Sequence, residues 1–117
     1  MLLRASGSTH NKTYQLATVT GAAEGDGGVP SGDLLIAFAE VVLGEDDRAL
    51  AQARAALMAA LGPPGLVDAA AVVGLFNAID RVADATGIPL EPEKAAATTD
   101  MRAALGIGKY VAAGGDA

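Results

Sequence analysis

Cysteine and tryptophan are absent from this chain, and histidine occurs once, at His10. Without cysteine there is no disulfide framework, no thiol redox chemistry and no thiolate metal site. A single histidine cannot build a histidine-rich metal centre, and His10 stands in a polar stretch where a surface position is the ordinary reading. Aromatic residues are 3% of the chain, so no platform for stacking bases is present. Eight Lys and Arg face fourteen Asp and Glu, giving a net charge of −6. That balance disfavours binding to nucleic acid, which depends on neutralising phosphates, and binding to anionic membrane surfaces. The opening MLLRASGSTHNKTY has no long apolar stretch of the secretory type, and the glycosylation-like triplet Asn11-Lys12-Thr13 is taken as chance. The apolar run around Ala69 to Phe76 is soon interrupted by Asn77, Asp80 and Arg81. It falls short of the roughly 20 residues that a bilayer span needs. The expectation is a cytoplasmic protein with no membrane and no nucleic-acid partner.

What the chain does have is aliphatic. It is 117 residues long, 51% hydrophobic and 19% charged, enough for one small domain with a core. The apolar residues are mostly Ala, Leu and Val. Alanine is the best helix former and loses no side-chain entropy, but it buries little surface per residue. A monomeric core made this way is thin, which points to a larger assembly or to marginal stability.

Residues 1–30 read as a polar arm or a poorly ordered leader, with a Gly-rich loop at Gly25-Asp26-Gly27-Gly28-Val29-Pro30. A helical domain is expected over 31–106 and a flexible tail over 107–117. Ser31 is the expected cap of a first helix, with Asp33 in its first turn and Leu34, Leu35, Phe38, Val41 and Val42 at three- and four-residue steps. Gly44 closes it. Asp46 or Asp47 caps a second helix, with Leu50, Ala53, Leu57, Ala60 and Leu61 on its inner face. Gly62-Pro63-Pro64 is expected to stop it. A third helix begins near Asp68 and ends at the Gly87 cap with Pro89 behind. Its half from Ala69 to Phe76 is apolar all round, and so expected to be buried all round. Pro92 and Glu93 open a fourth helix to about Leu105. The class is all-α: a small bundle of about four helices.

Asn77, Asp80, Arg81 and Asp84 fall on one stripe of the third helix. Beside an apolar half-helix, this cluster is expected to be partly buried, with Arg81 paired to Asp84 and within reach of Asn77. One reading is a polar pocket in which Arg81 holds an anion and Asp80 acts as acid or base. The other, which we favour, is a contact network whose charges satisfy one another. Glu40 could carry protons but is better read as solvent-facing. Gly44-Glu45-Asp46-Asp47 lacks the ligand series of a calcium loop and reads as a capping turn. The glycines at 25, 27 and 28 lack phosphate-loop spacing, and no Ser or Thr has a histidine base nearby. No metal and no cofactor is expected.

Phe76-Asn77-Ala78-Ile79-Asp80-Arg81, with Val82-Ala83-Asp84 and Gly87-Ile88-Pro89-Leu90 after it, resembles a helix near the C-terminus of carboxymuconolactone decarboxylase/alkylhydroperoxidase-like proteins. In longer, peroxidase-related members that helix carries Phe-Asn-x-x-Asn-Arg before a Gly-x-x-Leu stretch. Ala37-Phe38-Ala39-Glu40 resembles an upstream helix of the same family, and Arg54 to Gly62 with Leu66 to Val73 resembles the helix, turn and helix between. The resemblance covers roughly residues 31 to 91. It implies an all-helical fold that assembles as trimers or hexamers, or beside a companion chain. Phe76, Asn77, Arg81, Asp84 and Gly87 are its structural motif. The departures matter as much. The family's redox members use Cys-x-x-Cys with a nearby Glu and His. This chain has no cysteine, its first 31 residues are too short and polar to supply that half, and Asp80 replaces the second Asn. The resemblance therefore implies a helical protein without the redox cysteines, a non-catalytic oligomerising or companion subunit with no thiol peroxidase activity. The alternative is a cysteine-independent lyase or decarboxylase-like enzyme for a small carboxylate, with Arg81 holding the anion and Asp80 or Glu40 moving protons. The composition change at Ser31 also fits a truncated relative.

Overall fold

The computed structural model of the chain describes residues 7–110, and in these the secondary structure is helix and turn with no strand. The expected all-α class holds. A helical turn at 7–10 and a 3-10 turn at Leu16–Thr18 lead into helix α1, Gly32–Val42. Helix α2, Asp47–Thr86, is the backbone of the fold, and short helices α3, Pro92–Ala97, and α4, Thr99–Leu105, follow it. Ile107–Tyr110 forms a last 3-10 turn. The rest of the expected tail, from 111 on, and the first six residues of the expected arm lie outside the described residues.

Two expected helices, the second and the third, are one. Gly62-Pro63-Pro64 does not end the helix; it bends it. Gly62 takes φ 70° and ψ −179°, a conformation open essentially to glycine alone. Helical geometry resumes at once, because Pro63 and Pro64 occupy the opening positions of the next arm. There a backbone N–H would have no partner, and the fixed proline φ suits a helix start. The third helix therefore starts several residues before Asp68. The two arms, 47–61 and 63–86, share one axis of sequence but are hinged at Gly62.

The ends of α2 follow expectation. Asp46 Oδ1 accepts hydrogen bonds from the backbone N–H of Arg48 at 3.0 Å and Ala49 at 2.9 Å, so Asp46, not Asp47, is the cap. Gly87, at φ 64°, closes the far end. The Ile88 N–H donates to the Ala83 carbonyl at 3.2 Å and the Gly87 N–H to that of Asp84 at 3.4 Å, the paired bonds of a left-handed glycine cap. Ser31 departs from expectation. It occupies the cap position of α1 in the left-handed conformation, φ 57°, and its side chain makes no cap bond. The chain enters α1 through a tight turn in which the Gly32 N–H donates to the Val29 carbonyl at 2.8 Å, and that turn sets the direction of Ser31.

The expected fourth helix is divided at Thr98, φ −112° and ψ 6°. Thr98 Oγ1 donates back to the Lys94 carbonyl at 2.7 Å, and Thr99 Oγ1 to the Ala95 carbonyl at 3.0 Å. Such back-bonds compete with the helical ladder. Arg102 then ties the break, donating to the Ala95 carbonyl at 2.7 Å and to Thr98 Oγ1 at 3.2 Å.

The core is small. Phe38 of α1 and Leu57 of α2 are the buried hydrophobic side chains, and Leu57 is 0% exposed. Leu34, Leu35, Val41 and Val42 are half-buried, as are Leu50 and Ala53 on the facing arm, so the expected inner faces meet. Ala60 and Leu61, expected on that face, are exposed. The described part of the polar arm, 7–30, is folded, with Thr18 buried and its hydroxyl donating to the Gln15 carbonyl at 2.8 Å. Its turns close on the start of α1 around a cavity of about 150 Å³ that Leu16, Val29, Leu35 and Ile36 help to line. The radius of gyration is 16.1 Å, against about 13 Å for a compact chain of this size. Helix α1 is 11 residues long and packs against α2, whose length is 40 residues. It is too short to cover it.

Candidate interaction surface

The second arm of α2 continues the face on which α1 rests. Leu61, Gly65, Asp68, Ala69, Val72 and Val73 form one wall of an open groove, and Leu35, Ile36, Phe38 and Ala39 of α1 form the other. Its volume is about 490 Å³, within the range of ordinary binding clefts. Its lining is apolar apart from Asp68 at the edge. Beyond Val73 the opposing wall ends, but the apolar steps do not. Leu75, Phe76, Ile79 and Val82 continue from Val72 on the three- and four-residue steps of one helix side, and all are exposed: Phe76 is 59% accessible and Ile79 is 52%. A smaller hollow among Ala78, Ile79, Val82, Ala83 and Ile88 extends the ridge to the glycine cap.

This corrects the expectation that Ala69 to Phe76 is buried all round. The residues are apolar, but α1 reaches only the start of the stretch: Ala69 and Val73 are half-buried, while Val72, Leu75 and Phe76 are exposed. Sequence pattern shows which surface wants cover; it does not show how much covering structure the same chain can supply.

The polar stripe is also placed differently. Asn77 is half-buried, while Asp80, Arg81 and Asp84 are exposed. Among the described residues the one ion pair is between Lys94 and Glu91, at 2.9 Å, so Arg81 does not pair with Asp84. The expected buried network is absent. Asp80 follows Phe76 by four residues and so borders the ridge Val72–Leu75–Phe76–Ile79–Val82, while Arg81 and Asp84 turn farther round the helix. Glu40 is exposed, as expected, on the outer side of α1. His10 is exposed in the turn at 7–10. No group of three or more His, Asp or Glu side chains among the described residues is arranged to hold a metal ion. The run Glu45-Asp46-Asp47 serves as the capping turn. Among the described residues Glu91 is the titratable group with a clear perturbation. The hydrogen bond from the Lys94 ammonium, at 3.0 Å, holds its carboxyl below the usual range.

Among the described residues one helix, α2, is long and apolar enough to cross a membrane by length and composition. Its charge-free runs are shorter than that length suggests. Between Asp68 and Asp80 the uncharged stretch, Ala69 to Ile79, spans roughly 16 Å at the rise of an α-helix, about half of the roughly 30 Å hydrocarbon layer. The uncharged stretch before Asp68 contains the bend at Gly62.

The accessible surface of the chain is 8697 Å². A compact monomer of this mass exposes about 5,800 Å². The chain exposes more surface than a compact chain of its mass would. Exposed apolar side chains along α2 account for a visible part of it. Comparison of the chain with models of protein families, with curated proteins and with solved structures finds no match.

Proposed function

We propose that this protein is an alkylhydroperoxidase-like helical subunit that lacks the redox cysteines and acts through assembly, as a homo-oligomer or beside a companion chain, without thiol peroxidase activity of its own. The observation that carries this reading is the apolar ridge of α2, Val72 to Val82, exposed along a face that α1 covers only at its start. An exposed apolar surface of this extent is what an interaction site presents. The resemblance of Phe76-Asn77-Ala78-Ile79-Asp80-Arg81 to the family helix supports it, as does the order of a short helix followed by a helix, a bend and a helix. The absence of cysteine removes the family's thiol chemistry. Asp80 and Arg81 stand in water, away from any cleft, so no observation favours the carboxylate-lyase alternative. Cytoplasmic location belongs to the same proposal, supported by the net charge of −6, which disfavours anionic membrane surfaces.

Two measurements test it together. Purified protein given peroxide and a dithiol is expected to consume no more peroxide than buffer does. Size-exclusion chromatography with light scattering is expected to give a multiple of the 11.5 kDa chain mass, either alone or with a co-purified partner. Peroxide turnover, or a strictly monomeric species with no partner, would overturn the reading.

A further inference from the structure

We propose that the Asp26–Gly27 peptide is a site of spontaneous covalent modification in the folded chain. Asp26 closes to a succinimide and reopens as isoaspartate, and the change releases the N-terminal arm, 7–30, from α1. The Gly-rich loop, which the assembling role leaves unused, carries the inference.

Sequence sets the site. Asp26-Gly27 is the one Asp-Gly pair in the chain, and there is no Asn-Gly pair. The reaction needs the backbone nitrogen of the following residue to reach the side-chain carboxyl carbon. A Cβ on that residue screens its nitrogen, and glycine has none. Every other aspartate is followed by Leu, Asp, Arg, Ala or Met.

The turn holds the reacting groups together. The Gly28 N–H donates to Asp26 Oδ1 at 2.8 Å, so the carboxyl is folded back over the peptide that follows it. The Gly27 nitrogen lies within the ring that this hydrogen bond closes. Its own N–H donates to no group among the described residues, so no bond of its own has to break first. Asp26 is exposed, and water reaches it. In the step the Gly27 nitrogen bonds to Asp26 Cγ and gives up its proton, while one carboxyl oxygen leaves as water. Water then adds back to the imide. Addition at Cγ restores aspartate. Addition at the former main-chain carbonyl carbon leaves the chain running through Cβ and Cγ. Nothing is oxidised or reduced, and the mass returns to its starting value.

The surroundings make the product matter. The Asp26 carbonyl accepts from the Val29 N–H at 3.1 Å and lies so close against Gly32 that a Cβ there would strike it. The Gly27 carbonyl accepts from the Gln15 N–H at 2.9 Å, and a Cβ on Gly28 would strike the Thr13 carbonyl. In isoaspartate the first of these carbonyls becomes a carboxylate off the main chain, and one more carbon separates Asp26 Cα from Gly27. The spacing that seats Asp26 on Gly32 and Gln15 on Gly27 is lost. With it goes the wall that Asp26, Gly27 and Val29 give to the cavity of about 150 Å³ at the start of α1.

Full-length protein is held at physiological pH and temperature for several weeks, folded or in guanidinium. Isoaspartate at each position is measured by peptide mass spectrometry with electron-transfer fragmentation. The expected product is isoaspartate at 26, at least tenfold above that at Asp33, Asp68 or Asp80, and formed at least as fast in the folded chain as in guanidinium. Asp26→Asn keeps the acceptor of the turn and closes to the same succinimide with loss of ammonia, so it is expected to react at least tenfold faster. Chymotrypsin, which cuts after the half-buried Tyr14, is expected to cleave the isomerised fraction at least fivefold faster than fresh protein. Slower reaction in the folded chain would show that the turn shields the bond and overturn the inference. Isoaspartate spread evenly over the aspartates, or an Asp26→Asn chain that reacts no faster, would overturn it too. Isoaspartate at 26 with unchanged cleavage at Tyr14 would overturn the release of the arm.

Discussion

Leu57 and Arg81 show how differently single residues weigh in this fold. Leu57 is 0% exposed and sits where α1 crosses α2, so Leu57→Ala is expected to cost about 2–5 kcal/mol, the range for a fully buried leucine. Against a total stability of about 5–15 kcal/mol for a domain, that is a large share, and denaturant unfolding would read it directly. Arg81 is exposed and unpaired among the described residues. Arg81→Ala is expected to shift stability by less than about 0.5 kcal/mol, as solvated surface changes do. A loss of several kcal/mol would mean that Arg81 has a partner within the assembly. Residue by residue, the sequence was most legible where one side chain meets its own backbone. Asp46 caps α2 and Gly87 closes it because those bonds need only local chain. Ser31 misled because its conformation is set by the turn before it. Asn77, Asp80, Arg81 and Asp84 were legible as a stripe, but a stripe alone does not show which side of the helix meets water.

The elements turn on Gly62. Its φ of 70° with ψ near 180° is strained for any residue with a Cβ. Gly62→Ala is expected to destabilise by about 1–3 kcal/mol and to change the angle between the arms. Thermal unfolding measures the first, and distances between spin labels at Gln52 and Ala78 measure the second. An unchanged midpoint and unchanged distances would show that the bend has no role. Proline after glycine reads as a stop in sequence, and that reading failed here for a physical reason: two prolines at the opening of a helix lose nothing. The division at Thr98 was missed because threonine back-bonding competes with the helix only weakly. The helical class itself was legible throughout, since Ala, Leu and Val recur at three- and four-residue steps from α1 to the end of α2.

Taken as a whole molecule, the chain is longer than its core can hold. A 16.1 Å radius of gyration and a core centred on Phe38 and Leu57 describe a helix pair with one long uncovered arm. The thin core was legible in an alanine-rich composition with few aromatics. The uncovered arm was not, because exposure depends on what else the chain can bring to that face, and α1 is too short to bring it. If the arm is covered by other copies, stability is linked to concentration, and the thermal midpoint is expected to rise as the protein is concentrated from about 1 μM to 100 μM. The most direct test is the mass in solution. Light scattering on the full-length chain across that range is expected to give a defined multiple of 11.5 kDa, falling toward a single chain with Phe76→Glu. A single-chain mass at every concentration, with a midpoint that does not move, would contradict the account.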